Sequence, residues 1–151
     1  DLLDLVRPKL ENLLGYDVEN DALRRLENGI FGLKERAKNI NELTDNALFY
    51  VRNRPLPVDY KARKLLDEEG RRMVDIARGE LAGISNWCLD ELERSIREAA
   101  AERDQNLGKL AQPLRAALTG SNVSPGIFEV MEILGREETL GRLDDATSAP
   151  Q

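Results

Sequence analysis

The chain has 151 residues, 22 Lys+Arg against 28 Asp+Glu for a net charge of −6, one cysteine and no histidine. Without imidazole there is no Ser-His-Asp or Cys-His nucleophile and no histidine-ligated metal, and one thiol closes no intramolecular disulfide and builds no zinc knuckle. The acidic balance argues against a bulk polycation, but summed charge does not report local patches, so nucleic acid stays open as a partner.

Apolar spacing follows the period of about 3.6 residues almost throughout, without the alternation and Asn-Gly turns of hairpins, so the expected fold is all-α. Leu2, Leu3, Val6, Leu10, Leu13 and Leu14 form a first stripe, interrupted by Pro8 and stopped by Gly15 in a left-handed C-cap. A second helix is expected over 21–38, with Leu23, Leu26, Ile30, Phe31 and Leu33 inward and Gly29 and Gly32 weakening it. Ile40, Leu43, Ala47, Leu48 and Val51 make the third stripe. It ends at Arg52 to Pro57, where two prolines bracket Leu56 and force an extended connection.

That connection is the expected boundary between a subdomain at 1–54 and another at 55–143. One long helix is read over 59–80, with Gly70 in its middle. Ser85 or Asn86 is expected to cap the next, whose core side is Trp87, Leu89, Leu92, Ile96 and Ala100. Leu107, Leu110, Leu114 and Leu118 then share a face, and Gly120 stops the helix. In SNVSPGIFEVMEILG, Ser124 reads as N-cap, Pro125 sits in the first turn and Gly135 ends the helix. A short helix over 136–143 precedes a disordered tail at 144–151.

No run approaches the ~18 apolar residues of a membrane span, and DLLDLVRP lacks the basic start of a signal peptide. A cytoplasmic chain is expected, and a start other than Met reads as a piece cut from something longer. Enzyme signals are nearly absent: there is no phosphate loop and no histidine-bearing metal cluster. The adjacent carboxylates Glu68-Glu69 and Glu137-Glu138 diverge by about 100° around a helix and read as solvated faces. Cys88 reads as a packed thiol, and the basic groups around Arg36, Arg54, Lys61 to Lys64 and Arg72 as solvated helix faces. The stretch 105–126 differs: its only charges are Lys109 and Arg115, and it runs into a helix start, where unpaired N–H groups at Ser124 to Ile127 can meet a phosphate or a base edge.

LGKLAQPLRAALTGSNVSPGIFEVMEILGREETLGRL, residues 107–143, resembles the C-terminal end of bacterial glutamyl-tRNA synthetases, with their AQPLR-ALTG block, SPG helix start and LG-[RK]-E closing helix. LKERAKNINELTDNALFYV resembles a second family segment, in which an arginine opens a helix.

The resemblance implies an α-helix cage of two packed helical subdomains that binds the anticodon of tRNA-Glu, or also of tRNA-Gln, as part of a class I glutamate-tRNA ligase. It implies a monomer with neither DNA nor membrane as partner. The ATP site, with its Mg, would lie in an upstream half whose HIGH-type signature needs histidines, so this chain would carry no catalytic residue, cofactor or metal. By family position, Arg115 helps read the first anticodon base, Ser124 and Ile127 line the same pocket, and Arg36 contacts the third base. The rival expectation is a helical protein-interaction module that kept the fold and lost RNA binding.

Overall fold

The computed structural model describes residues 1–148, which form eight helices and no strand. No helix among them is long and apolar enough to cross a membrane. The chain divides into two compact units, Asp1–Asn53 and one beginning at Arg54. Arg54 thus falls in the second unit rather than closing the first, because its guanidinium grips Asp145 through two hydrogen bonds of 2.9 and 3.1 Å.

The first unit holds α1 (Leu2–Leu14), α2 (Asn20–Lys34) and α3 (Ile40–Val51). Asp1 and Asp4 close a capping box on α1, and Gly15 ends it in the left-handed conformation at φ 83°. Val6, Leu10, Leu26, Ile30, Leu33, Leu43 and Ala47 fill the core. Leu13 and Phe31 do not join it, being 54% and 67% exposed. Leu26, Ile30 and Leu33 already occupy the inward face of α2, and Phe31 lies about 100° further round. Gly29 does more than weaken α2, since the Tyr50 ring lies where a side chain would begin. Tyr16 accepts the Asn53 N–H at 3.0 Å and fastens the end of this unit.

The second unit contains α4 (Tyr60–Leu65), α5 (Glu68–Ala82), α6 (Leu89–Glu102), α7 (Leu107–Thr119) and α8 (Ile127–Ser148). The single helix expected over 59–80 is two. Asp67 caps a fresh start by accepting the Gly70 N–H at 2.8 Å. A Cβ on Gly70 would overlap the Leu65 carbonyl oxygen, so glycine is what lets the end of α4 fold back on the first turn of α5. Gly70→Ala separates two opposed effects. Helix propensity alone would stabilise by about 1 kcal/mol. Displacing the carbonyl costs about 1–3 kcal/mol and should win, lowering the urea midpoint. A raised midpoint would contradict the close approach.

α5 packs against α6, α7 and α8, burying Met73, Val74, Ala77 and Leu81 against Leu92, Ile96, Leu110, Leu114, Leu118, Val130 and Met131. Neither Ser85 nor Asn86 caps α6. Its N-cap is the half-buried Cys88, without a side-chain bond, and Glu132 of α8 accepts the Leu89 N–H at 3.0 Å instead. Trp87 is half-buried, donating its indole N–H to the Met131 carbonyl at 2.9 Å under the Arg136 guanidinium. Gly135, at φ 83° and ψ 168°, is non-helical, so α8 is two helical stretches that meet at a kink where the helix end was expected, the second beginning at Arg136. The helix then continues past Leu143 through Ser148, so residues 144–148 are not a disordered tail; the rest of that expected tail lies outside the described residues. Two ion pairs hold this end: Arg78 with Asp144 and Arg54 with Asp145, both at 2.9 Å. The hydrogen bonds from Arg78 keep the Asp144 carboxyl below its ordinary pKa.

Candidate nucleic-acid interface

α7 ends at Gly120, whose φ of 75° is the left-handed region that favours glycine and whose N–H closes on the Ala116 carbonyl at 2.9 Å. A Cβ at Gly120 would meet the Pro57 carbonyl, so glycine also admits a close backbone neighbour. The next residues fold on their own polar groups: Ser121 N–H donates to the Thr119 hydroxyl at 3.2 Å, and Val123 N–H to the Ser121 hydroxyl at 3.1 Å. Val123 is left 76% exposed at the tip.

Arg115, one helical turn before this loop, is half-buried, and its Nε donates to the Ser124 hydroxyl at 2.9 Å. That hydroxyl donates onward to the Pro125 carbonyl at 2.7 Å. Ser124 therefore does not cap α8, which starts at Ile127 with the Gly126 carbonyl accepting the Val130 N–H at 3.0 Å. The loop fold explains the shift, since Arg115 and Pro125 together use the hydroxyl that a cap would need.

Burial pulls the Arg115 pKa below its ordinary value, although guanidinium stays charged at neutral pH. Among the described residues no carboxylate pairs with Arg115, and its two terminal nitrogens have no protein acceptor. A cation partly withdrawn from water, with most of its donors unspent, is suited to an acceptor-rich ligand. The unpaired N–H groups opening α8 lie directly after Pro125 and favour the same kind of ligand.

The structure thus brings Arg115 and Ser124 together. Ile127 is only 3% exposed, so its side chain packs into the core and the position offers a ligand its backbone N–H. Arg36 belongs to the first unit, exposed in the turn after α2, with its N–H on the Leu33 carbonyl at 3.1 Å. Its side chain makes no hydrogen bond or ion pair among the described residues, as suits a contact residue.

The adjacent carboxylates read as solvated faces are engaged in part within the protein. Glu69 pairs with Arg72 at 2.8 Å, and Glu138 with the buried Arg142 at 2.8 Å. A groove of about 370 Å³ between α5 and α6 is lined by Glu80, Glu91, Arg94 and Glu98, a sign of charge that repels phosphate. No group of three or more His, Cys, Asp or Glu among the described residues could hold a metal ion. Sequence reasoning missed the exposed apolar residues Val123 and Tyr60. The signal for Val123 was faint: one apolar residue in a polar loop between two helix boundaries.

The family model described as an anticodon binding domain matches residues 1–147. The glutamate–tRNA ligase 2 of Rhodospirillum rubrum is 54% identical over 147 residues, 97% of this chain and 31% of that protein. The glutamate–tRNA ligase 2 of Paramagnetospirillum magneticum is 51% identical, covering 96% and 31%. The chain therefore spans about a third of the length of these relatives. Among solved structures, the glutamate-tRNA synthetase of Elizabethkingia anophelis superposes with a TM-score of 0.71 at 23% identity, over 98% of this chain and 28% of that one, a likeness of fold.

Proposed function

Since the chain belongs to the anticodon binding domain family, we propose that it recognises the anticodon loop of tRNA-Glu within a longer, cytoplasmic, monomeric glutamate–tRNA ligase. In this reading the rest of that protein joins glutamate to tRNA with ATP and Mg, and the present chain supplies recognition alone. Acceptance of tRNA-Gln would be decided by the third anticodon base, which we assign to Arg36.

One observation carries the reading: a half-buried arginine without a carboxylate partner, held by a serine hydroxyl beside a helix start. Anticodon bases are unstacked in their loop and can be splayed out and read on their edges. The Arg115 fork is planar, so it can hydrogen-bond to a base edge or stack on a base face. Ser124 holds that fork from one side, and the N–H groups of α8 offer further donors.

A salt titration tests the partner class. Binding to a tRNA-Glu transcript should be readily measured at low salt, with log K falling linearly in log salt by about 0.7 per phosphate contacted on a single strand. Absence of binding at low salt, together with capture of a protein partner, would instead support the interaction module.

A further inference from the structure

The chain is acidic overall, yet two of its segments are locally positive. The stretch 105–126 carries Lys109 and Arg115 with no carboxylate, and 55–66 carries Lys61, Arg63 and Lys64 against Asp59 alone. The fold joins them. Asp59 N–H donates to the Gly120 carbonyl at 2.9 Å, and α4 packs on α7. The one carboxylate is occupied, because Asp59 accepts the Ala62 N–H at 2.8 Å as the N-cap of α4. The three cations form no ion pair among the described residues; Arg63 donates only to the Val58 carbonyl at 3.3 Å.

Burial of Ala62 and Leu66 turns the opposite face of α4 outward. That face carries Tyr60, 69% exposed, and Lys64 one turn later. The Lys64 ammonium sits 4.4 Å from the Tyr60 ring centroid, a cation–π contact that steadies the ring without covering both faces. An exposed aromatic flanked by unneutralised ammonium groups combines the two elements of single-strand binding: a stacking face tolerant of base identity and charge for the backbone.

We propose that Tyr60, Lys61 and Lys64 form a second RNA-binding surface beside the Arg115 loop, on which a nucleotide flanking the anticodon stacks against Tyr60 while its phosphates meet the two lysines. The inference rests on the anticodon reading above and extends it to the strand around the bases being read.

The test uses the 151-residue chain and an RNA stem-loop bearing the tRNA-Glu anticodon. Tyr60→Ala should weaken binding by roughly fivefold or more, the loss of one stacked base. Tyr60→Phe should stay within about twofold of the parent, because the ring is kept. Lys61→Ala and Lys64→Ala should each reduce the salt slope by about one phosphate contact. None of these should change the ranking of stem-loops with altered anticodons, whereas Arg115→Ala should. If Tyr60→Ala binds as tightly as the parent with an unchanged salt slope while Arg115→Ala loses its ranking, the platform is wrong and the anticodon reading stands. If the parent chain itself fails to bind the stem-loop, both fall.

Discussion

Arg115→Ala should weaken binding of the tRNA-Glu anticodon loop by about 5- to 150-fold, the equivalent of on the order of 1–3 kcal/mol for one base contact. The loss should be greatest when the first anticodon base is the natural one, and should shrink when that base is already wrong. Arg115 makes one side-chain hydrogen bond, at 2.9 Å to Ser124, and no ion pair among the described residues. Its removal therefore leaves no buried carboxylate uncompensated and should leave the helical content seen by circular dichroism intact. Arg115→Lys separates charge from shape. A lysine keeps the positive charge but lacks the planar fork, so a loss close to that of alanine indicates edge reading or stacking. Near-parental affinity in the lysine variant would reduce Arg115 to a counter-charge for phosphate.

The second large effect is structural. Arg142 is the largest fully buried side chain, with its Nε on Glu138 at 2.8 Å and one terminal nitrogen on the Leu118 carbonyl at 2.8 Å. Leu118 lies in the last turn of α7, where carbonyls lack partners within their own helix, so Arg142 satisfies a helix end and complements its dipole. Truncation to alanine removes all of this and leaves a void between α7 and α8. Breaking a buried pair by deleting one partner costs about 3–5 kcal/mol. Glu138 retains 19% exposure and can recover some hydration, which favours the lower end, about 3 kcal/mol.

For a fold of ordinary stability, about 5–15 kcal/mol, that is a large fraction. Urea unfolding of Arg142→Ala should show it as a lower midpoint at nearly constant slope. The double variant Glu138→Gln with Arg142→Met should recover part of the loss, since the stranded charge is gone. A loss below about 1 kcal/mol for the single variant would mean that Arg142 is not the clamp described. Leu118 immediately precedes Thr119 and Gly120, so the clamp also fixes the frame from which the Ser124 loop departs.

Helix type and core faces were legible because a 3.6-residue period is a local property. Gly15 announced a left-handed end and Gly120 a helix stop, and both occur at φ near 80°. The break between α4 and α5 was not legible. The reason for Gly70 is a carbonyl brought close by the turn back at Asp67, which no spacing rule contains. Ser124 misled for a related reason: Ser before Pro looks like a cap, and only the folded loop shows Arg115 using that hydroxyl. Likewise the 144–148 segment looked like a frayed end, because its anchors, Arg54 and Arg78, are remote in sequence. At the candidate site, the residue types and the positive stretch 105–126 were visible in advance. The burial of Ile127 and the exposure of Tyr60 and Val123 were not, since each depends on which neighbouring helix covers the position.

The central claim is that this chain distinguishes anticodon bases. The most direct measurement is an equilibrium titration against tRNA-Glu transcripts substituted singly at each anticodon position, at one fixed salt concentration. The account predicts that changing the first or the third base weakens binding by about 5- to 150-fold, the first-base effect vanishing in Arg115→Ala and the third-base effect in Arg36→Ala. Equal affinity for every substituted transcript would contradict it.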